Sequence, residues 1–252
     1  MAATKKKGDE EKFLEEYRPG DFPRPSVTVD LVIFTIVDCR LRLLLIRRKQ
    51  EPFRGRWALP GGFVDVGDAF RDQGEDLDAA AHRELREETG LSGCFLEQLY
   101  TFGDAGRDPR MRVVSVAYYA LIRPDLAPLV RAGSDAADVR WFEVDRLPRL
   151  AFDHGRIVDK AVHRLRGKLD YTNIAFELVP ATFTVADLRR VHEIVKGTAY
   201  DPANFRRKFL CLLDAGVIEE APGRRATATR PARVYRFRRR MTNPGEKPAD
   251  ER

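Results

Sequence analysis

The chain has 252 residues, 43% apolar and 33% charged, which suits one large globular domain or two small ones. No apolar run approaches the roughly 20 residues of a membrane span, and the N-terminus lacks an apolar signal core, so neither a membrane protein nor a secreted one is expected. Cys39, Cys94 and Cys211 are scattered and odd in number, which excludes a disulfide framework or cysteine metal site and fits a reducing cytoplasm.

Residues 1–12 alternate blocks of Lys and Glu, and a disordered tail is expected through residue 23. "SVTVDLVIFTIV" reads as a strand buried on both faces, and "LRLLLIRRK" as its partner across a tight turn near Asp38–Arg40. Pro60-Gly61-Gly62 is a turn where backbone can approach a ligand closely. In "HRELREETGL" a helix places Glu84, Glu87 and Glu88 within an arc of about 100°, with Ala80 on the same arc and Gly90 as the stop. Like charges at this spacing repel. Such a cluster is either a solvated helix face or a site for a hard divalent cation such as Mg²⁺ or Mn²⁺. "GCFLEQLYTFG" and "RVVSVAYYALI" are further strands, "ADVRWFEVDRLP" closes the sheet, and residues 151–170 form a linking helix. Strand hairpins around a βα unit predict an α/β (α+β) fold with a mixed sheet.

Beyond residue 170 the pattern changes. "FTVADLRRVHEIVKG" opens with Thr184 and Asp187 in capping-box spacing, carries Leu188, Val191 and Val195 as an apolar stripe, and ends at Gly197. A second helix has Asp201 as N-cap and Pro202 at its first position. Phe205, Phe209 and Leu212 line its packed face, while Asn204, Arg206, Arg207 and Lys208 give it a basic N-terminal half. "GVIEE" and "RVYRFR", joined by the basic loop "APGRRATATRPA", read as a hairpin, a candidate wing with Arg224, Arg225 and Arg230. Helix pair, basic helix and basic hairpin in this order predict a winged helix-turn-helix that binds double-stranded DNA over residues 171–240, followed by a polar tail, 241–252. The chain's net charge is +6, yet residues 203–240 alone carry eleven cations against three acids, so the rest is nearly neutral.

The segment from Gly62 to Leu91 resembles the Nudix box, G-x5-E-x7-R-E-U-x-E-E-x-G-U with U aliphatic. "RELREETGL" fits at every fixed position. With five residues between, Gly62 leads to Asp68, whereas with seven between, Arg83 leads back to Glu75, so an insertion precedes the helix and the fourth carboxylate is Asp68 or Glu75. The resemblance implies a Nudix α/β/α sandwich over residues 24–150. It also implies that Glu84, Glu87 and Glu88 bind Mg²⁺ or Mn²⁺, that Arg83 orients a glutamate, and that these four residues catalyse hydrolysis of a nucleoside diphosphate linked to another group. Arg48, Arg54, Gly61, Gly62, Arg107 and Arg110 are the candidate ligand-binding residues; "TFGDAGRDPR" looks like the segment of Nudix proteins that handle ADP-ribose. With the winged helix, and with "LPRLAFDH" and "LDYTNIAFELVPATFT", the chain resembles the Nudix-related regulators of NAD metabolism, NrtR. That resemblance implies a homodimeric repressor that senses ADP-ribose or a related NAD-derived nucleotide. The alternatives are a plain ADP-ribose pyrophosphatase whose basic C-terminal domain only packs, and a hydrolase that grips RNA. No exposed aromatic platform for stacking bases supports the last.

Overall fold

The computed structural model describes residues 9–14, 16–67, 73–130, 136–227 and 230–238. Strands β1 (Ser26–Val37) and β2 (Arg40–Arg48) form the predicted hairpin. Val37 faces Arg40, and the two residues between them, Asp38 and Cys39, both take positive φ, 52° and 58°, as a two-residue hairpin turn of the right twist requires. Strands β3 (Trp57–Ala58), β4 (Gly61–Phe63), β5 (Phe95–Phe102), β6 (Val113–Leu121) and β7 (Ala136–Glu143) complete a seven-stranded sheet. β1 and β6 run parallel and every other pair is antiparallel, so the sheet is mixed as expected.

The alternation along β1 explains why it reads as apolar throughout. Val29, Leu31 and Ile33 face helix α1 (Leu77–Thr89), where they pack with Ala81 and Leu85. Val32, Phe34 and Ile36 face the other way, into a core shared with helix α2 (His154–Lys168) through Ile157, Val158, Ala161 and Leu165.

Helix α2 is therefore no tether. The same buried cluster continues through the 3₁₀ turn Ile174–Leu178 into Phe183 and into helix α3 (Val185–Lys196) through Leu188, Val191 and Val195. Helix α4 (Pro202–Asp214) joins it with Phe205 and Phe209, and the hairpin of β8 (Ile218–Arg225) and β9 (Ala232–Phe237) with Ile218 and Tyr235. The capping box is present: Thr184 Oγ1 accepts from the Asp187 N–H at 3.2 Å, and Asp187 Oδ2 accepts from the Thr184 N–H at 2.8 Å. Asp201 caps α4 by accepting from the Asn204 N–H at 2.8 Å.

Three readings need correction. Residues 9–14, read as disordered, are helical, and Phe13, Tyr17 and Phe22 pair their rings in sequence at 5.7 and 5.9 Å. The Pro-Gly-Gly turn continues into a short strand, since Gly61 and Gly62 face Asp30 and Val29 of β1. The wing strand β8 runs through Arg225, past a register shift between Glu220 and Arg224 that absorbs Pro222 and Gly223. Among the described residues no helix is long and apolar enough to cross a membrane.

His192 on α3 lies buried with the rings of Tyr200 and Phe205 at 5.9 and 5.3 Å. Burial first, and Lys208 second, lower its pKa to about 4. Unfolded, it titrates near 6.5, so its contribution is complete above that pH and is lost as pH falls towards 4. Denaturant unfolding at pH 7 and pH 4.5 is expected to show the wild-type chain losing roughly 2–3 kcal/mol from this group. A His192→Leu variant, compared with wild type at both pH values, is expected not to show that share of the loss.

Candidate functional site

A cleft of about 410 Å³ opens between the carboxylate helix and the ends of β1, β2 and β4. Arg48, Gly61, Gly62, Arg83, Glu84, Glu87, Glu88, Arg107 and Arg110 all line it. Arg54 does not line it: it is exposed, with its backbone N–H on Glu51.

At one end of the cleft Arg83 is the hub. Its Nη2 donates to Glu75 at 2.6 Å, its Nη1 to Glu84 at 2.8 Å and to Glu87 at 3.1 Å, and Nη2 also reaches the Phe63 carbonyl at 3.1 Å. Glu75 thus shares Arg83 with the glutamates of the helix; Asp68 lies outside the described residues. The Arg83 guanidinium holds the Glu75 carboxyl below its usual range. Glu84 is pushed the other way, because its burial outweighs the help of Arg83. Glu88 is buried beside it. Three carboxylates on one guanidinium, with Glu88 beside them, leave the helix face short of positive charge. Among the described residues no cluster of His, Cys, Asp and Glu forms a ready cage, because Arg83 already engages Glu84 and Glu87. A hard divalent cation fits the donor set, by sharing these oxygens with Arg83.

The two glycines are packing devices. A Cβ on Gly61, whose φ is 145°, would stand 2.1 Å from the Val29 carbonyl oxygen. One on Gly62 would stand 2.2 Å from Glu84 Oε1, so the bare Cα lets the carboxylate lie against the strand.

The middle of the cleft holds residues that sequence reasoning missed. Asp30, the one acid in β1, accepts from Ser115 Oγ at 2.5 Å and from Arg107 Nη2 at 3.3 Å. Arg107 also forks onto Asp153, at 2.7 and 3.1 Å. His154 Nδ1 accepts from the Leu59 N–H at 2.8 Å and its Nε2 lies 3.6 Å from Asp30 Oδ1. Accepting at Nδ1 makes His154 the neutral Nε2–H tautomer, in keeping with a pKa that burial lowers. At the far end, the Arg48 guanidinium lies 4.9 Å from the Phe152 ring centre, and Arg110 is clamped on Asp108 at 2.7 Å. Burial and the neighbouring Arg110 lower the Arg48 pKa. "LAFDH" supplied three of these side chains, yet no local spacing announces them.

In the second domain Asn204, Arg206, Arg207 and Lys208 are exposed on the first turns of α4, with Arg207 donating to Asn204. Arg206, Lys208, Arg224 and Arg230 reach solvent with no carboxylate partner among the described residues. Arg225 differs: it folds back onto Asp187 at 2.5 Å and the Thr182 carbonyl at 2.8 Å, bracing α3 instead of extending from the wing.

Residues 27–161 match the NUDIX domain and residues 175–237 match the NrtR DNA-binding winged helix domain. The ADPR responsive transcriptional repressor NtrR of Acinetobacter baylyi is 37% identical over 230 residues, 90% of this chain and 88% of that one. The ADP-ribose pyrophosphatase of Methanocaldococcus jannaschii is 37% identical over 153 residues, 61% of this chain and 81% of its own. The crystal structure of Shewanella oneidensis NrtR complexed with a 27mer DNA superposes with a TM-score of 0.73 at 33% identity, covering 84% of this chain and 93% of that chain.

The two glycines make separable predictions. Gly61→Ala strains backbone against backbone and is expected to cost roughly 2–3 kcal/mol in denaturant unfolding. Gly62→Ala displaces a side chain and is expected to cost less stability but to weaken Mn²⁺ binding about tenfold, read by electron paramagnetic resonance, a loss of roughly 1.4 kcal/mol.

Proposed function

We propose, because the chain belongs to the Nudix family and carries a winged helix of the NrtR type, that it is an ADP-ribose-responsive transcriptional repressor that also hydrolyses its ligand. The observation that carries this reading is a join. One sheet packs the carboxylate helix, which faces an arginine-lined cleft, on one side, and on the other a core that runs on to a helix whose exposed first turns are basic. A hydrolase alone has no need of the second, and a plain DNA-binding domain has no need of the first.

In the cleft, Glu84, Glu87 and Glu88 would hold Mg²⁺ or Mn²⁺. The ion, when bound, neutralises adjacent phosphates and activates a water. Arg83 keeps Glu75, Glu84 and Glu87 in fixed orientation, and Gly62 lets Glu84 approach the strand floor. Arg48 and Arg110 bring positive charge to the opposite wall, where a diphosphate needs it. Addition of water across the pyrophosphate of ADP-ribose gives AMP and ribose 5-phosphate.

On DNA, the N-terminal end of α4 enters the major groove, with Asn204, Arg206 and Arg207 at base edges and Lys208 on phosphate. Arg224 and Arg230 of the wing meet phosphates, while Arg225 stays bound to Asp187. A helix-turn-helix of this size reads two half-sites as a homodimer, and the genes concerned are those of NAD metabolism. The deciding experiment is a fluorescence-anisotropy titration of the protein's own upstream DNA, with and without ADP-ribose. Binding that ADP-ribose weakens supports the repressor; hydrolysis with no specific DNA binding at all leaves the plain pyrophosphatase.

Glu87→Gln and Glu88→Gln are each expected to lower Mg²⁺-dependent formation of AMP by at least 100-fold, a loss of roughly 2.7 kcal/mol, measured by product chromatography. Arg206→Ala is expected to lose roughly 1–3 kcal/mol on the specific duplex and to relax base preference. Arg224→Ala is expected to weaken specific and scrambled duplexes alike and to reduce the salt slope by about one unit.

A further inference from the structure

Helix α2 begins at the wall of the cleft and ends against the winged helix. Its first residue, His154, lines the cleft, and Asp153 immediately before it is held by Arg107, which lines it too. At the other end Arg166 Nε donates to the Val195 carbonyl of α3 at 2.9 Å, and Asp170, two residues past the helix, pairs with Lys196 at 2.6 Å. Between these ends the buried face of α2 belongs to one core with Phe183, Val191 and Val195. A displacement of the start of α2 therefore cannot stay local, since packed interiors move as units.

Asp153 is the unusual residue. It stands at the N-cap, where an aspartate ordinarily accepts hydrogen bonds from the backbone N–H groups of the first turn. Here its side chain makes no capping bond. Both carboxylate oxygens are engaged by the Arg107 guanidinium, at 2.7 and 3.1 Å. Arg107 comes from the loop between β5 and β6, is 5% exposed, and serves Asp30 as well. Two acids thus share one buried cation beside a cleft that suits a diphosphate. The same loop makes a second, exposed bridge to α2, from Asp104 to Arg156.

We propose that Arg107 reports ligand to DNA: a phosphate group bound in the cleft competes with Asp153 for the Arg107 fork, and the released Asp153 caps α2 and shifts its first turn, and with it the helix whose far end packs against the winged helix. The proposal rests on the reading of the cleft as an ADP-ribose site. Its chemistry is that of exchange between equivalent acceptors. Carboxylate and phosphate take the same planar guanidinium fork, and a phosphate brought near Asp30 and Asp153 needs the cation that they now share. The exchange gives Asp153 a second partner, because N–H groups in the first turn of a helix are ready donors, and Asp30 keeps the Ser115 hydroxyl. Two alternative sets of partners for Asp153 are what a two-state element requires, and Arg107 and Asp153 are its positioning residues.

The test uses the full-length protein, ADP-ribose as ligand and the upstream duplex as DNA, with Asp153→Asn as the variant. For wild type, saturating ADP-ribose is expected to weaken DNA binding by about tenfold or more, within the usual range of coupling between sites. In Asp153→Asn the competitor is weakened. Its DNA affinity without ligand is expected to fall towards that of liganded wild type, and its affinity for ADP-ribose to rise several-fold, as linkage demands. A merely structural defect would lower both affinities. Wild-type coupling retained in Asp153→Asn overturns the proposal and leaves the functional reading intact. A wild-type protein that binds no ADP-ribose overturns both. Hydrogen exchange of wild type supplies a second measurement that does not depend on the variant folding: amides of residues 154–158 are expected to change protection when ADP-ribose binds, and unchanged protection also overturns the proposal.

Discussion

Strand β1 pairs in parallel with β6 on one edge and antiparallel with β2 and β4 on the other, and side chains bury both of its faces. Within this apolar strand stands one acid, Asp30, opposite Gly61 of β4 and Ala117 of β6. A carboxylate so placed demands partners, because an ion taken out of water without them costs several kcal/mol. Ser115, Arg107 and His154 supply them from three separate segments. The cleft is assembled around that demand. Its middle wall consists of the residues that satisfy Asp30, and its two ends are attached to this wall.

The carboxylate end works on the opposite principle. Around Asp30 the charges are matched by protein groups, but along α1 acid exceeds base. Arg83 steadies Glu75, Glu84 and Glu87 without neutralising them, and burial raises the Glu84 pKa against its help. The unmatched charge is the physical reason to expect a cation there. The glycine floor serves the same end, since a methyl group on Gly62 would clash with Glu84 Oε1.

What was legible in the sequence was local. The helix bearing Glu84, Glu87 and Glu88, the Thr184–Asp187 capping box, Asp201 with Pro202, and the β1–β2 turn all depend on spacings of four residues or fewer, and all are present. The box left Asp68 and Glu75 open, and the contact that brings Glu75 to Arg83, eight residues away, is not a spacing the box contains. Asp30 and Ser115 lie 85 residues apart, Arg107 and Asp153 46, and Leu59 and His154 95, so no pattern within one segment could announce them. Arg54 and Arg225 stand apart from the other candidates for a related reason. A count of arginines does not say which ones fold back onto their own chain, as Arg225 does onto Asp187, or which point away from the cleft.

The core that runs unbroken from the sheet through α2 into Phe183, Val191 and Phe209 has a thermodynamic consequence. Two domains on a flexible tether unfold independently, each with its own free energy. Here the apolar groups of one half are the solvent of the other, so the two halves share a single cooperative transition. Neither can loosen without exposing the neighbour's interior. The arrangement gives up modularity: the DNA-reading half is no better folded than the half with the cleft, and a substitution that weakens packing in either lowers the population of both.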